Sequence, residues 1–160
     1  MIAVDSGAGA TNIKVAGVSD FTAGQAILID AGANQETATI ATVGTAGATT
    51  VAVAAAAGAT VISVAGPPGF ANGQNITIDA GANAETAVVV STAGGGRGGG
   101  PSTVTVSAPL NAAHAVGAQV AGTGITLTTP LSKAHANGAR VASAVPTPGA
   151  PNQYVRKPGT

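Results

Sequence analysis

The chain repeats itself, and the repeats limit what it can fold into. The segment from Gly9-Ala10-Thr11 to Thr37 matches the one from Gly58-Ala59-Thr60 to Thr86 at a constant offset of 49. The clearest stretch is FTAGQAILIDAGANQETA against FANGQNITIDAGANAETA. It pairs Phe21 with Phe70, Gly24 with Gly73, Asp30 with Asp79 and Glu36 with Glu85. A shorter repeat follows: TVTVSAPLNAAHAVGAQV (103–120) matches GITLTTPLSKAHANGARV (124–141) at an offset of 21. Here Pro109 pairs with Pro130, Leu110 with Leu131, His114 with His135, and Gly117 with Gly138. Such self-similarity is the mark of a fold assembled from equivalent units. The first long unit ends in TTVAVAAAAGATV, which reads as a copy of the shorter repeat without its Pro-Leu and His.

The local pattern is strand after strand. Candidate strands are 11–16, 25–30, 35–43, 49–54, 60–65, 74–79, 84–91, 102–107, 118–121, 124–128 and 139–143. They are short, rich in Thr, Val and Ile, and separated by Gly, Asn and Pro. The duplication assigns faces: Ile27 and Ile29 match Ile76 and Ile78, whereas Leu28 matches Thr77. A face that keeps Ile in both copies is the core, and one that accepts Thr lies outside. Phe21 and Phe70 are expected to plug one end of each unit. The PLxxxHxxG segments read as single helical turns, with Pro opening and Gly closing each. The Gly-rich run 94–101 reads as a hairpin tip and the proline-bearing end as an extended tail.

The expected fold is therefore all-β: tandem small β-barrel or β-sandwich units from an internal duplication, with short helical turns. The expected division is 1–57 for the first unit, 58–145 for the second with its Gly-rich hairpin and sub-repeat, and 146–160 for the tail. Two small barrels, one merged sandwich and a short solenoid all fit this pattern.

Composition narrows the chemistry. Charged residues are 8% of the chain, against roughly 25% in an ordinary soluble domain. The only aromatics are Phe21, Phe70 and Tyr154, so the core must be aliphatic. No cysteine is present, which excludes disulfides and thiolate metal sites. All acids lie at or before Glu85, and every base except Lys14 lies after it. That segregation is either a solvated surface or a complementarity between the ends of successive molecules. The N-terminal residues lack the basic and apolar regions of a signal peptide. The longest apolar run, Val51 to Ala65, is too short and too Ala-rich to span a membrane.

The best candidate site is Asp30-Ala-Gly32-Ala-Asn34-Gln-Glu36, repeated as Asp79-Ala-Gly81-Ala-Asn83-Ala-Glu85. Oxygen-bearing side chains around a Gly suit a Ca²⁺ loop, with Asp30, Asn34 and Glu36 or Asp79, Asn83 and Glu85 as ligands. No other cofactor is expected. The plainer reading is a hairpin connection in which Gly and Asn take positive φ, Asp caps the turn and Glu satisfies loop amides. His114 and His135 could bind a metal or act in catalysis, but no acid or second His lies near either in sequence. The plainer reading is a His that closes its own turn by bonding backbone. No GxSxG elbow occurs, no aromatic cleft accompanies the paired carboxylates, and no Lys-Ser/Thr follows the Gly-rich run. Few, dispersed bases without stacking aromatics exclude nucleic-acid binding. The chain is expected not to be an enzyme.

The motif FxxGQxITIDxGANxETA with PLxxxHxxG resembles repeated modules of large secreted proteins from actinobacteria and related soil bacteria. The resemblance covers roughly residues 9 to 153, including PTPGAPNQY. This copy departs from the pattern in its Gly-rich insertion and in the missing tail of its first unit. Such modules often lie beside glycoside hydrolases, and the resemblance implies an extracellular or cell-surface accessory or spacer domain. The expected function is a structural repeat that associates head-to-tail with copies of itself. The alternatives are a polysaccharide-binding accessory module and a phage decoration protein.

Overall fold

A computed structural model describes residues 1–94 and 100–144. The tip of the Gly-rich run and the proline-bearing tail lie outside the described residues. Among the described residues eleven strands form: β1 (Asn12–Ile13), β2 (Ala26–Ile29), β3 (Glu36–Val43), β4 (Ala48–Thr50), β5 (Val61–Val64), β6 (Asn75–Ile78), β7 (Glu85–Gly94), β8 (Ser102–Val106), β9 (Gln119–Gly122), β10 (Ile125–Leu127) and β11 (Val141–Ser143). Each overlaps an expected strand, although the strand expected at 49–54 ends at Thr50 and β7 runs beyond the expected 84–91 to Gly94. Ile27, Ile29, Ile76 and Ile78 are fully buried, while Leu28 and Thr77 on the opposite face are only half-buried.

The strands form two antiparallel sheets, β1-β10-β3-β2-β11 and β4-β9-β6-β7-β8-β5. Both curl until their ends meet. In the second sheet, Val51 bridges Val64, and the amides of Ala52 and Ala65 bond Ser63 O and Thr50 O. In the first, residues 1–3 fill the gap: Ile2 bridges Val15 on one side and exchanges bonds with Gly138 and Ala139 on the other. Each sheet is thus a small closed barrel with its own aliphatic core, one around Ile27, Ile29, Ile40 and Ile125, the other around Ile62, Ile76, Ile78 and Val104. Closure removes most of the open strand edges that would otherwise favour strand-to-strand association.

The two barrels are nested. The second is continuous, from β4 to β9. The first takes β1, β2 and β3 from the start of the chain and β10 and β11 from beyond the second barrel. A division at residue 57 therefore does not describe the sheets. The first unit has not lost its PLxxxHxxG tail; it uses the copy at 124–141, and the copy at 103–120 completes the second barrel. Residues 49–61, read above as a degenerate tail, are instead the opening strands of the second barrel, equivalent to the chain's first residues. The strand orders then coincide: β1-β10-β3-β2-β11 corresponds to β5-β8-β7-β6-β9, with β4 added at the end.

The chain passes between the barrels twice, at 44–47 and 122–124, and these passes are bonded to each other. Gly44 N donates to Gly124 O, Gly124 N to Thr45 O and Gly122 N to Gly47 O, at 2.8–2.9 Å. Thr45 and Thr123 each donate a backbone N–H to the other's Oγ1 at 2.9 Å. The glycines are required by space: a Cβ on Gly122 would lie 2.3 Å from Thr45 O, and one on Gly124 2.2 Å from Ile13 O.

Candidate functional site

Each barrel holds one histidine between two carboxylates, and the residues are repeat equivalents. In the second barrel, His114 Nε2 lies 2.6 Å from Glu85 Oε1 and His114 Nδ1 lies 3.2 Å from Asp79 Oδ2. In the first, His135 Nε2 lies 2.6 Å from Glu36 Oε1 and Nδ1 lies 3.1 Å from Asp30 Oδ2. Both imidazoles have no exposed side-chain surface. A neutral ring carries one N–H and can donate to one carboxylate; only the doubly protonated ring donates to both.

The carboxylates are positioned by the loop between adjacent strands. Asp30 and Asp79 follow β2 and β6 directly and adopt φ of 68° and 65°, the only non-glycine positive φ values among the described residues. Asp tolerates this left-handed conformation because its short side chain bonds locally. Asp30 Oδ1 accepts the Ala31 amide and Asp79 Oδ1 the Ala80 amide, both at 2.9 Å. A 3-10 turn follows at Gly32–Asn34 and at Gly81–Asn83. It swings the Asn back, so that Asn34 Nδ2 donates to Asp30 Oδ2 at 2.7 Å and Asn83 Nδ2 to Asp79 Oδ2 at 2.9 Å. The same amides reach Ala134 O and Ala113 O, tying the loop to the histidine segment. Gly32 and Gly81 take positive φ as expected; Asn34 and Asn83 do not, and Asp does so in their place.

Glu36 and Glu85 open β3 and β7 and accept the amides of the histidine segment. Glu85 takes Asn111 N at 2.8 Å, Asn111 Nδ2 at 3.1 Å and Ala112 N at 3.2 Å. Glu36 takes Ser132 N at 2.9 Å, Lys133 N at 3.2 Å and the Ser132 hydroxyl. Burial alone would raise the Glu36 carboxyl, but the bonds from Ser132, His135 and Lys133 outweigh it and hold it at about 2. Glu85 is likewise lowered, its burial outweighed by Asn111, His114 and Ala112. Asp30 is lowered first by Asn34 and then by His135, and Asp79 first by Asn83 and then by the Ala80 amide and His114.

The sequence motifs DxGANxE and PLxxxHxxG are therefore two halves of one structure. The acids that looked remote from the histidines are their direct partners, across 35 residues for Asp79 and His114 and 105 for Asp30 and His135. The PLxxxHxxG segments are not helical turns. They run as turns whose backbone pairs with the start of each barrel: His114 with Ala55, and His135 with Ser6. The six residues considered as Ca²⁺ ligands gather in two sets of three, one around His135 and one around His114. Among the described residues, no group of three or more His, Asp or Glu is arranged to hold a metal ion. Four of the six acids are committed in this way, so few remain for a head-to-tail charge contact.

A cleft lies between the barrels. It has a volume of about 480 Å³, and its polar lining is Asp5, Thr49, Thr50, Gln119 and Asn137. Asp5 Oδ1 already accepts the Asn137 amide at 2.7 Å. Among the described residues, no helix is long and apolar enough to cross a membrane. No protein-family model, curated protein sequence or solved structure matches the chain.

Proposed function

We propose that the chain is a non-catalytic structural repeat module of an extracellular bacterial protein, a stiff two-barrel spacer that associates with copies of itself. One observation carries the reading. The groups fittest for acid–base work, two histidines and four carboxylates, are spent on one staple in each barrel, with both ring nitrogens occupied and the rings out of solvent's reach. A general acid or base needs a free atom within reach of substrate. The doubly bonded, glycine-packed connector supports stiffness. The extracellular setting follows from the resemblance to secreted bacterial modules.

Self-association finds different support from that expected of the sequence. Most of the edges are closed and most acids are occupied, so neither supplies the contact. Val61 on β5 and Val88 and Val90 on β7 are instead exposed on the outer wall of the second barrel, on either side of β8. A contact of this kind is apolar and insensitive to salt. Light scattering across a concentration series at low and high ionic strength tests it. Oligomers that persist in high salt are expected; a 14.9 kDa monomer at every concentration would refute self-association.

A second reading, a polysaccharide-binding accessory module, is favoured by the inter-barrel cleft. Asp5, Gln119 and Asn137 offer acceptors and donors suited to sugar hydroxyls, though without an aromatic platform. Pull-down on insoluble polysaccharides, with Asn137→Ala and Gln119→Ala as controls, separates the two readings. Retention that both substitutions abolish would favour it.

A further inference from the structure

The nesting makes the barrels unequal in how they can close. In the second barrel, β7 and β8 pair with Thr92 opposite Val104, a separation of 12 residues. The equivalent pair in the first barrel is Val43 opposite Ile125, a separation of 82 residues. Everything between those two positions is the second barrel and its connectors. Until the tail at 124–143 arrives, the first barrel lacks β10 and β11, the core side chains Ile125, Leu127 and Leu131, and the histidine of its staple. The second barrel lacks nothing: its core cluster, Val51 to Val120, and its His114 staple lie wholly within its own continuous segment.

Folding of the second barrel brings the two ends of that long loop together. The rungs Gly122 N to Gly47 O and Gly124 N to Thr45 O, with the reciprocal Thr45–Thr123 pair, hold the tail beside β3 in the register it needs. The long loop then behaves as a tight hairpin. The free-energy cost of closing a flexible loop rises as the logarithm of its length and the closing equilibrium falls as length to the power 3/2, so going from 12 to 82 residues lowers that equilibrium on the order of 20-fold. That is a lower bound for the first barrel, because a folded insert presents its ends already in contact.

We infer that the second barrel is the clasp of the first: barrel one closes only on a folded barrel two, whereas barrel two folds whether or not barrel one is closed. The stability of the discontinuous barrel is thereby slaved to the continuous one. A lesion in one spreads and a lesion in the other does not.

The test is a urea titration of the full chain, read residue by residue in ¹H–¹⁵N spectra, with equivalent core substitutions in the two barrels. Ile78→Ala lies in the second core and Ile29→Ala at the matching position of the first; both side chains are fully buried. With Ile78→Ala, signals of both barrels should be lost at one lowered midpoint, barrel one never outlasting barrel two. With Ile29→Ala, only residues 1–43 and 125–144 should shift to lower urea, and 48–122 should keep the wild-type midpoint. If Ile78→Ala prevents folding, Ile78→Val and Ile29→Val give the same comparison with smaller shifts. A first barrel that stays folded after the second has melted would overturn the inference. So would an Ile29 substitution that lowers both midpoints equally.

Discussion

Replacing Glu36 by Gln tests whether the staple holds the first barrel closed. The carboxylate is 11% exposed and accepts bonds from Ser132 N, Ser132 Oγ, Lys133 N and His135 Nε2. Gln keeps the shape but offers one acceptor oxygen. Its NH₂ would point either at the His135 ring and the Lys133 amide, which share Oε1, or at the Ser132 amide and hydroxyl, which share Oε2. Each hydrogen bond to a charged group is worth about 1.5–3 kcal/mol, and two of the four donors lose their acceptor, about 3–6 kcal/mol in all. Partial exposure and the surviving oxygen put the expected loss near the bottom of that range, about 3 kcal/mol. A domain of this size has a stability of only about 5–15 kcal/mol, so the loss is a large part of it. The chain has no Trp, and its single Tyr is in the tail, so urea denaturation should be followed by far-ultraviolet circular dichroism. Asp20→Asn, at an exposed position, is the control and should stay within about 0.5 kcal/mol of wild type. A Glu36→Gln loss no greater than that of the control would mean that the carboxylate is an ordinary solvated turn residue and that the staple reasoning is wrong.

Acid should unfold the protein through the same groups. The folded Glu36 carboxyl sits at about 2 and the other three staple carboxylates are also lowered, so their contribution is fully present above the unfolded value near 4.5 and is lost as pH falls towards 2. Thermal melts should accordingly show a midpoint that drops steeply between those limits, and a flat profile there would contradict the assignment. Gly122→Ala should cost more than about 2 kcal/mol, because its Cβ would meet backbone oxygens of Thr45 and Ala46 at 2.3 and 2.6 Å; chemical denaturation measures it. Phe70→Ala should cost about 3–5 kcal/mol and Phe21→Ala clearly less, since Phe70 is buried at the connector and Phe21 is half-exposed; equal losses would show that the barrel ends are packed alike.

The sequence by itself determined the strands, the faces they bury and the equivalence of the repeats. These are local properties: alternation of Ile with Thr in both copies marks an inward face whatever the strand later pairs with. The left-handed turn was legible in its Asp, Gly and Asn, although which of them would take positive φ was not. Topology was decided only in three dimensions, because an antiparallel rung between Val43 and Ile125 leaves no mark on the residues around either. A hint was nonetheless present. The chain carries two DxGANxE segments followed by two PLxxxHxxG segments, and that order lets each find a partner without crossing only if one pair lies inside the other. The histidine staples share this origin. Each needs a carboxylate loop and a histidine segment that are distant in the chain, and it is the closing of each barrel that places the ring between its two acids.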